Sequence, residues 1–199
     1  MIGRFQKYQA QTTPHPLGLE VDYASGSYIY TNDAEAHLDF VAGVSACNLG
    51  HCHPEIVKAI QYQAERFLHV MVYGEYVLKP ALEVSQKLAE FLPKPLEQTY
   101  LVNSGTEAID GAIKLARRAT GRSQIIAAKD CYHGNSYGAL SLMDYRERTE
   151  PFAPLLPDVT HIEFNNDNCL NLITRYTAAV VLETIQGGAG FIMPENNYL

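Results

Sequence analysis

One stretch decides the fold of this chain: Thr99-Tyr-Leu-Val-Asn-Ser-Gly-Thr-Glu-Ala-Ile-Asp-Gly-Ala-Ile-Lys-Leu-Ala-Arg-Arg-Ala-Thr120. Tyr100–Val102 is an apolar run of the length of a buried strand, and Asn103–Thr106 interrupts it with small polar residues. From Glu107 the apolar residues follow helical spacing, and two arginines followed by Gly121 are typical of a helix end. The stretch therefore predicts a strand, a short loop and a helix.

This arrangement is the one by which α/β proteins bind a phosphate. Free backbone N–H groups and the positive end of the helix dipole meet at the helix N-terminus, where Ser and Thr hydroxyls can add donors. An ordinary strand–helix joint, in which Ser104 or Asn103 is only an N-cap, remains the alternative on this stretch alone.

Strand and helix patterns alternate from residue 99 to the end of the chain. A helix is predicted from near Ser136 and a short one at Cys169–Ile173. The order βαβαβ predicts an α/β fold with a mostly parallel sheet and helices on both faces. The other predicted strands are Gln124–Ala128, Val159–Phe164 and Ala178–Glu183.

Three loops are expected to meet at one edge of this sheet, because ligands of such folds collect beyond the carboxyl ends of the strands. The loops are Asn103–Thr106, Asp130–Asn135 and Thr184–Gly190.

The first part of the chain has a different pattern. Residues 1–16 are predicted to be an arm, since Pro14 and Pro16 are incompatible with a helix interior. Short strands at 19–22, 28–31 and 37–40 predict a small antiparallel meander, and 41–50 is predicted to be a loop. Helices are predicted at 54–68 and 79–91. The predicted domains are 1–45, an arm with small-domain strands, and 46–199, the first part of a larger domain.

Composition restricts the class of protein. The chain has 199 residues, 47% apolar and 19% charged, with a formal net charge of -7, and it contains no basic run that could meet a phosphate backbone or an anionic membrane. It also lacks an apolar run of about 18 residues, the length that a membrane span needs. Four scattered cysteines favour reduced thiols in the cytoplasm over a disulfide framework. A cytoplasmic protein that handles a small molecule is expected.

Two further groups are candidate site residues. Tyr132-His133-Gly134 follows a predicted strand, so its aromatic ring could stack on a flat ligand, and Glu183 ends another strand. A surface loop and a solvated acid are the alternatives for these two groups. Cys47, His51, Cys52 and His53 match no tetrahedral zinc spacing, and Pro54 indicates a helix entry, so no metal site is expected.

Taken together, these residues resemble the class III pyridoxal-phosphate-dependent aminotransferases. Asn48-Leu-Gly-His-Cys-His-Pro54 looks like the N-terminal signature of that family, and Asn103-Ser-Gly-Thr-Glu-Ala108 looks like its phosphate cup. Tyr132-His-Gly134 looks like its ring-stacking segment, and Glu183-Thr-Ile-Gln-Gly187 like its Glu-Pro-x-Gln-Gly strand end. The resemblance implies an incomplete fold-type I transferase similar to aspartate aminotransferase, with pyridoxal 5'-phosphate (PLP) as cofactor.

The resemblance also implies roles for residues of this chain. Gly105 and Thr106 would bind the cofactor phosphate, largely through backbone N–H groups, with Ser104 adjacent among the cofactor-binding residues. Tyr132 would stack on the pyridine ring, His133 would support it, and Glu183 would join the polar network nearby. A homodimer with interface active sites is implied as well, with residues 44–50 and the Tyr73–Tyr76 region near a site.

Two groups that the family needs are missing from this sequence. The Asp that pairs with the pyridine nitrogen and the Schiff-base Lys both come later than Leu199, and none of the seven lysines stands in the matching context. No catalytic residue is therefore expected in this chain. We expect the 199 residues to be a truncated N-terminal half that is inactive alone.

Three departures concern the substrate. Asn135 stands where acetylornithine- and ornithine-type members usually carry Arg, Val44 where ornithine-specific members place Tyr, and Gly188 where an acid is common. Loss of the Arg removes a guanidinium that could bind a substrate carboxylate through two hydrogen bonds. The expected reaction is therefore amino transfer from an amine or ω-amino acid to a 2-oxo acid. An aminomutase of the same fold, an acetylornithine/ornithine-type aminotransferase and a non-catalytic fragment are the alternatives.

Overall fold

A three-stranded parallel sheet forms the centre of the second half of the chain, in a computed structural model that describes residues 1–71 and 74–199. Its strand order is β5-β4-β6, and both neighbours run parallel to β4. Ile125, Ile126, Ala127 and Ala128 of β4 are completely buried, as a continuous apolar run in a covered parallel strand requires. The predicted parallel α/β architecture is confirmed. The strands are β4 (Gln124–Ala128), β5 (Val159–Ile162) and β6 (Thr177–Val181).

Helix α5 (Gly105–Thr120) packs beside this sheet and has a defined cap at each end. At its start, the backbone N–H of Glu107 donates to Ser104 Oγ at 3.3 Å, and the Glu107 carboxylate accepts from the N–H of Asn103 at 2.7 Å. Such reciprocal caps satisfy donors that the helix itself leaves free. At its end, Gly121 has φ 66°, the left-handed conformation of a C-terminal cap. The helix begins two residues earlier than the sequence predicts.

The strand predicted at Tyr100–Val102 is wrong. These residues belong to no ladder of the described chain, and the side chains of Tyr100 and Leu101 are 80% and 50% exposed. An apolar run becomes a strand only where a neighbouring strand pairs its N–H and C=O groups, and none does so here.

The chain divides into two compact units, Met1–Val77 and Leu78–Leu199. The first unit contains the antiparallel meander β1 (Val21–Ser25), β2 (Tyr28–Thr31) and β3 (Ala36–Leu38), which confirms the meander with strand ends shifted by up to three residues. The domain boundary predicted after residue 45 stays a prediction. Tyr73, one of the residues expected near a site, lies outside the described residues.

Helices in the first unit only partly follow the prediction. The arm contains a helix, α1 (Ile2–Tyr8), because the prolines at 14 and 16 prevent a helix only near themselves. The loop predicted at 41–50 includes a single turn, α2 (Ala42–Ser45), in which every residue has positive φ. Helix α3 (Pro54–Ala64) ends four residues before the predicted end.

The second unit contains the remaining helices. Helix α4 begins and ends where the sequence predicts, and a short helix, α6, follows Ser136 as expected. Cys169–Ile173 is mostly covered by a 3-10 segment. Among the described residues, no helix has both the length and the apolar character needed to cross a membrane. The elements are α4 (Lys79–Phe91), α6 (Tyr137–Ser141), α7 (Arg146–Thr149) and 3-10 segments at Glu150–Phe152 and Asp167–Leu172.

Two glycines of α5 allow a matched test of its C-terminal cap. Gly121→Ala should lower the free energy of unfolding by roughly 1–2 kcal/mol, because only the positive φ opposes a Cβ that meets nothing within 4 Å. Gly111→Ala should raise it by about 0.5–1 kcal/mol, since this helical glycine gains an ordinary contact with Tyr100 at 3.5 Å. Urea unfolding measures both. Equal signs for the two changes would contradict the left-handed cap.

Candidate cofactor-binding site

The three loops that the sequence predicts to meet at the carboxyl edge of the sheet do converge there. The segment after β4 contacts the start of α5, because the N–H of Ser136 donates to Thr106 Oγ1 at 2.9 Å and the two hydroxyl oxygens are 2.6 Å apart. The same segment contacts the residues after β6, because the N–H of Tyr132 donates to Glu183 Oε1 at 2.9 Å. These contacts place the predicted site residues of the second unit side by side.

Two glycines allow the segment after β4 to approach α5 closely. Gly134 has φ 123°, and a Cβ on it would lie 2.4 Å from the side chain of Thr106. A Cβ on Gly138 would lie 2.1 Å from Asp110 Oδ1, which accepts a hydrogen bond from the N–H of Ala139 at 2.9 Å. At Gly134 a larger residue would require the backbone to shift, because Thr106 Cα would also lie 2.9 Å from the added Cβ, whereas at Gly138 it would displace the Asp110 carboxylate from its bond to Ala139.

The N-terminus of α5 offers backbone donors for an anion. The N–H groups of Gly105 and Thr106 belong to the first turn, where a helix provides no acceptor, and neither donates to another group of the described residues. Gly105 is exposed, and the helix has 16 residues, so its dipole adds positive potential at this end. Ser104 Oγ accepts from the N–H of Glu107, and Thr106 Oγ1 accepts from the N–H of Ser136. Accepting a bond leaves a hydroxyl its own O–H, so Ser104 can still donate to a ligand. The seat for an anion therefore consists of the two backbone N–H groups, with the Ser104 hydroxyl beside them.

Tyr132 is held at two points while it stays 42% exposed. Its backbone N–H donates to Glu183 Oε1, and its hydroxyl accepts from Asn135 Nδ2 at 3.2 Å. Gly188 lies close by, since a Cβ on it would meet the Cβ of Tyr132 at 3.4 Å. The ring is thus fixed in direction but free to contact a ligand. Asn135 and Gly188, two of the predicted substrate-side residues, lie directly beside it.

Glu183 joins two loops through both of its carboxylate oxygens. Oε1 accepts from the N–H of Tyr132 at 2.9 Å, and Oε2 accepts from the N–H of Gly187 at 3.2 Å. Both bonds are charge-assisted, and the side chain is half-buried. The position of the Tyr132 backbone therefore depends on this carboxylate.

His133 is buried beside this carboxylate. Only 8% of the residue is exposed, and its Nε2 has no hydrogen-bond partner among the described residues. Burial lowers the pKa of His133 below its ordinary value of 6.5, while the negative charge of Glu183 acts in the opposite direction. The imidazole is therefore neutral at pH 7, and one of its nitrogens is left for a further group.

Sequence reasoning missed several residues that shape the site. Gln186 is 1% exposed, and its amide donates to the carbonyl oxygen of Lys129 at 2.6 Å. Its backbone also pairs with that of Ile192, which closes the glycine-rich turn. Asp110 holds Ala139, as described above; its position four residues after Thr106, on the same face of α5, was the signal available in the sequence.

Cys131 immediately precedes the site and is chemically quiet. It is completely buried, and its thiol donates to the carbonyl oxygen of Leu142 at 3.1 Å. Burial, together with the charge of Glu183, raises the pKa of Cys131 to about 12. This thiol is not a nucleophile at neutral pH.

The remaining sequence candidates belong to the first unit. Val44 lies in α2 and is 86% exposed. His51, considered above as part of a Cys/His cluster, binds Asp39 with 2.7 Å between Nε2 and Oδ2. Within residues 1–71 and 74–199, no group of three His, Cys, Asp or Glu side chains is arranged to hold a metal ion.

Comparison with known proteins identifies the family. The model of the family "Aminotransferase class-III" matches residues 8–199. The chain belongs to the class III aminotransferases. Enzymes of this family are PLP-dependent.

Curated relatives and a solved structure match this chain over about half of their own length. An acetylornithine aminotransferase of Methanopyrus kandleri is 39% identical over 87% of this chain and 44% of its own length. An acetylornithine aminotransferase of Archaeoglobus fulgidus is 33% identical over 100% of this chain and 52% of its own length. The solved ornithine aminotransferase of Toxoplasma gondii is 26% identical with a TM-score of 0.86, over 98% of this chain and 47% of its own. The chain thus spans about half the length of these relatives.

The residues of the second unit fit the cofactor of the family. PLP carries a phosphate and a flat pyridine ring. The free N–H groups of Gly105 and Thr106 fit the phosphate, and the exposed ring of Tyr132 fits a stacked pyridine. The buried nitrogen of His133 marks a polar partner that the described chain does not supply.

Glu183 and Glu163 allow a matched test of the two hydrogen bonds by which Glu183 joins the Tyr132 and Gly187 backbones. In Glu183→Gln, one amide N–H must face a backbone N–H, so the free energy of unfolding should fall by about 1–3 kcal/mol. Glu163 lies at the same sheet edge but makes an exposed ion pair with Lys129, so Glu163→Gln should cost less than about 1 kcal/mol.

Urea unfolding and hydrogen exchange of the Tyr132 and Gly187 amides measure this difference. Faster exchange of both amides is expected in Glu183→Gln alone. Unchanged exchange in that variant would show that the carboxylate does not hold the loops.

Proposed function

We propose that this chain provides the cofactor-holding half of a PLP-dependent aminotransferase that moves an amino group from an amine or ω-amino acid to a 2-oxo acid. The observation that carries the proposal is the joint placement of the α5 N-terminus, Tyr132 and Glu183 at one sheet edge. Family membership supports the reaction class, and the geometry supports the assignment of residues.

The phosphate of the cofactor binds to the N–H groups of Gly105 and Thr106. Both point from the first turn of α5, where the helix dipole favours negative charge. Ser104 contributes by capping the helix and Thr106 Oγ1 by holding Ser136, so these side chains keep the donors in place.

Tyr132 and His133 support the pyridine ring. The Tyr132 ring contacts its face, and Glu183 fixes the backbone from which that ring projects. The neutral imidazole of His133 offers Nε2 to a polar group at the ring edge. When bound, PLP serves as an electron sink for the carbon that carries the amino group.

Proton movement at that carbon requires the lysine of the family, which the resemblance places beyond Leu199. We infer that residues 1–199 hold the cofactor but do not catalyse transfer alone. The same resemblance supports a homodimer with interface active sites. Four cysteines without disulfides support a cytoplasmic location.

The donor is inferred from the surroundings of Tyr132. Asn135 has an amide where related enzymes usually carry a guanidinium, and this amide is engaged with the Tyr132 hydroxyl. A neutral side chain at this point provides no charged reader of a donor carboxylate. Gly188, beside the same ring, adds no charge. An amine or an ω-amino acid therefore fits these surroundings better than an amino donor that must be bound through its α-carboxylate.

A second candidate is an acetylornithine-type activity, which the names of relatives at 33–39% identity favour. An aminomutase of the same fold is the other alternative. A single turnover with donor and no 2-oxo acid distinguishes transfer, which releases a carbonyl product and leaves the cofactor as its amine form, from mutation, which releases a rearranged amine.

Gly105→Pro tests the phosphate seat directly. Proline is accepted at the first helical position, and Ser104 already has the extended conformation that a following proline requires (φ −154°, ψ 160°). The change removes one N–H donor, so PLP affinity should fall roughly 10- to 100-fold, as expected for one charge-assisted hydrogen bond. Stability should not fall.

The control is Gly105→Ala, which keeps the N–H and whose Cβ meets nothing within 4 Å. Fluorescence titration with PLP and with pyridoxal, which lacks the phosphate, measures the effect. Only PLP binding by the proline variant should weaken. Equal losses for both compounds would refute the phosphate seat, and failure of the unmodified chain to bind either would leave only a structural role.

Asn135→Arg tests the donor assignment in this chain completed by the second half of the class III fold. A guanidinium restores the carboxylate reader, so kcat/KM for acetylornithine should rise about tenfold or more relative to an amine without a carboxylate. Asn135→Gln, which stays neutral, is the control. Efficient use of acetylornithine by the unchanged protein would favour the acetylornithine-type activity instead.

A further inference from the structure

Turn α2 has an unusual backbone for its sequence. The φ angles of Ala42, Gly43, Val44 and Ser45 are 48°, 61°, 56° and 66°, so four consecutive residues are left-handed. Three of them carry a Cβ, and one is β-branched, the residue type for which this region is a true outlier. Each such residue lowers the population of the left-handed conformation roughly five- to thirtyfold relative to the right-handed one. A strained turn of this kind persists only where the surrounding structure determines it.

Asp39 provides the contacts that determine it. Its Oδ1 accepts from the N–H groups of Val41 and Ala42, both at 2.9 Å, which fixes the entry to the turn. Its Oδ2 lies 2.7 Å from His51 Nε2, at hydrogen-bond distance. The Asp39 side chain is 6% exposed and that of His51 is 19% exposed, so the bond between the two side chains is partly shielded from solvent, while the bond to Val41 lies at the surface.

His51 is itself anchored to the antiparallel sheet. Its N–H donates to the carbonyl oxygen of Gly26 at 2.8 Å, and its carbonyl accepts from the N–H of Gly26 at 3.0 Å. Gly50 permits this approach with φ 85°, since a Cβ there would lie 3.1 Å from the oxygen of Gly26. The hairpin between β1 and β2 thus fixes His51 through backbone hydrogen bonds. His51 in turn orients the Asp39 carboxylate, and this carboxylate hydrogen-bonds the backbone of the turn.

The residue that this turn presents is Val44, 86% exposed despite being apolar. The turn closes through hydrogen bonds from Ser45 N–H to the Val41 oxygen at 3.2 Å and from Cys47 N–H to the Ala42 oxygen at 2.9 Å. The direction of the Val44 side chain is therefore set by a conformation that its own sequence disfavours.

We propose that Asp39 and His51 are positioning residues that lock α2 in its left-handed form and thereby fix how Val44 is presented. The importance of Val44 for donor choice rests on the proposed function; the lock itself does not. The hydrogen bonds of Asp39 to Val41 and Ala42 act on the turn, and the bond to His51 orients the carboxylate that makes them.

Hydrogen exchange of the Cys47 amide in the full chain tests the lock, because this amide is bonded across the turn. His51→Ala should increase its exchange rate about tenfold or more. His51→Gln keeps a donor that can reach Asp39, so its rate should stay within about threefold of the unchanged chain. Exchange of the Ile125 and Ile126 amides, buried in the other unit, reports on general unfolding and should not change.

A rescue experiment separates a lock from simple stabilisation. In the His51→Ala background, Val44→Gly removes the penalty of positive φ and should restore Cys47 protection by about fivefold or more. Val41→Gly is the matched control, because Val41 has φ −84° and no such penalty to remove, so it should not restore protection.

Cys47 exchange that does not change in His51→Ala, or a loss that Val44→Gly fails to repair, would overturn the proposal. The measurements need neither cofactor nor donor. Failure of the proposed aminotransferase function would appear in the PLP titration and in the donor comparison, while these exchange rates would stay as expected.

Discussion

The close approach of the β4–α6 segment to the start of α5 is the contact on which the site depends. Gly134 faces Thr106 at a distance that leaves no room for a Cβ, and Ser136 hydrogen-bonds the same threonine. This contact brings Tyr132 beside the free N–H groups of the helix. The proposed ring-stacking residue Tyr132 and the proposed phosphate seat at Gly105 and Thr106 are far apart in the sequence, and they become neighbours because one glycine permits it.

The carboxylate of Glu183 fixes the other side of the same segment. It binds the backbone of Tyr132 and of Gly187, so it joins the residues after β4 to those after β6. Parallel pairing of β4 with β6 brings the two loops to the same edge, and the carboxylate then sets their spacing. Glu183 thus acts through the backbone that carries the aromatic ring, which makes its geometry as important as its charge.

Features determined by neighbouring residues in the sequence could be predicted. Gln124–Ala128, Lys79–Phe91 and the cap at Gly121 each follow from a local pattern, and the structure confirms them. Tyr100–Val102 could not be assigned, because a strand depends on a partner that no local pattern reveals. The left-handed form of α2 was equally hidden, since it depends on a contact between Asp39 and a histidine twelve residues later. The loops of the site could be located, but not the bonds that join them.

The hydroxyls at the start of α5 show why motif and mechanism should be kept apart. The resemblance assigns the phosphate largely to the backbone N–H groups of Gly105 and Thr106, and in the structure the hydroxyl oxygens of Ser104 and Thr106 accept bonds that cap the helix and dock Ser136. The two N–H groups make no bond within the described residues, and every residue except proline has such a donor. The side chains of this motif are thus constrained by the fold, whereas the proposed choice of donor rests on Asn135 and Gly188 beside Tyr132. In the proposed function, cofactor binding and donor choice therefore depend on different chemical groups, backbone N–H donors for the first and side chains for the second.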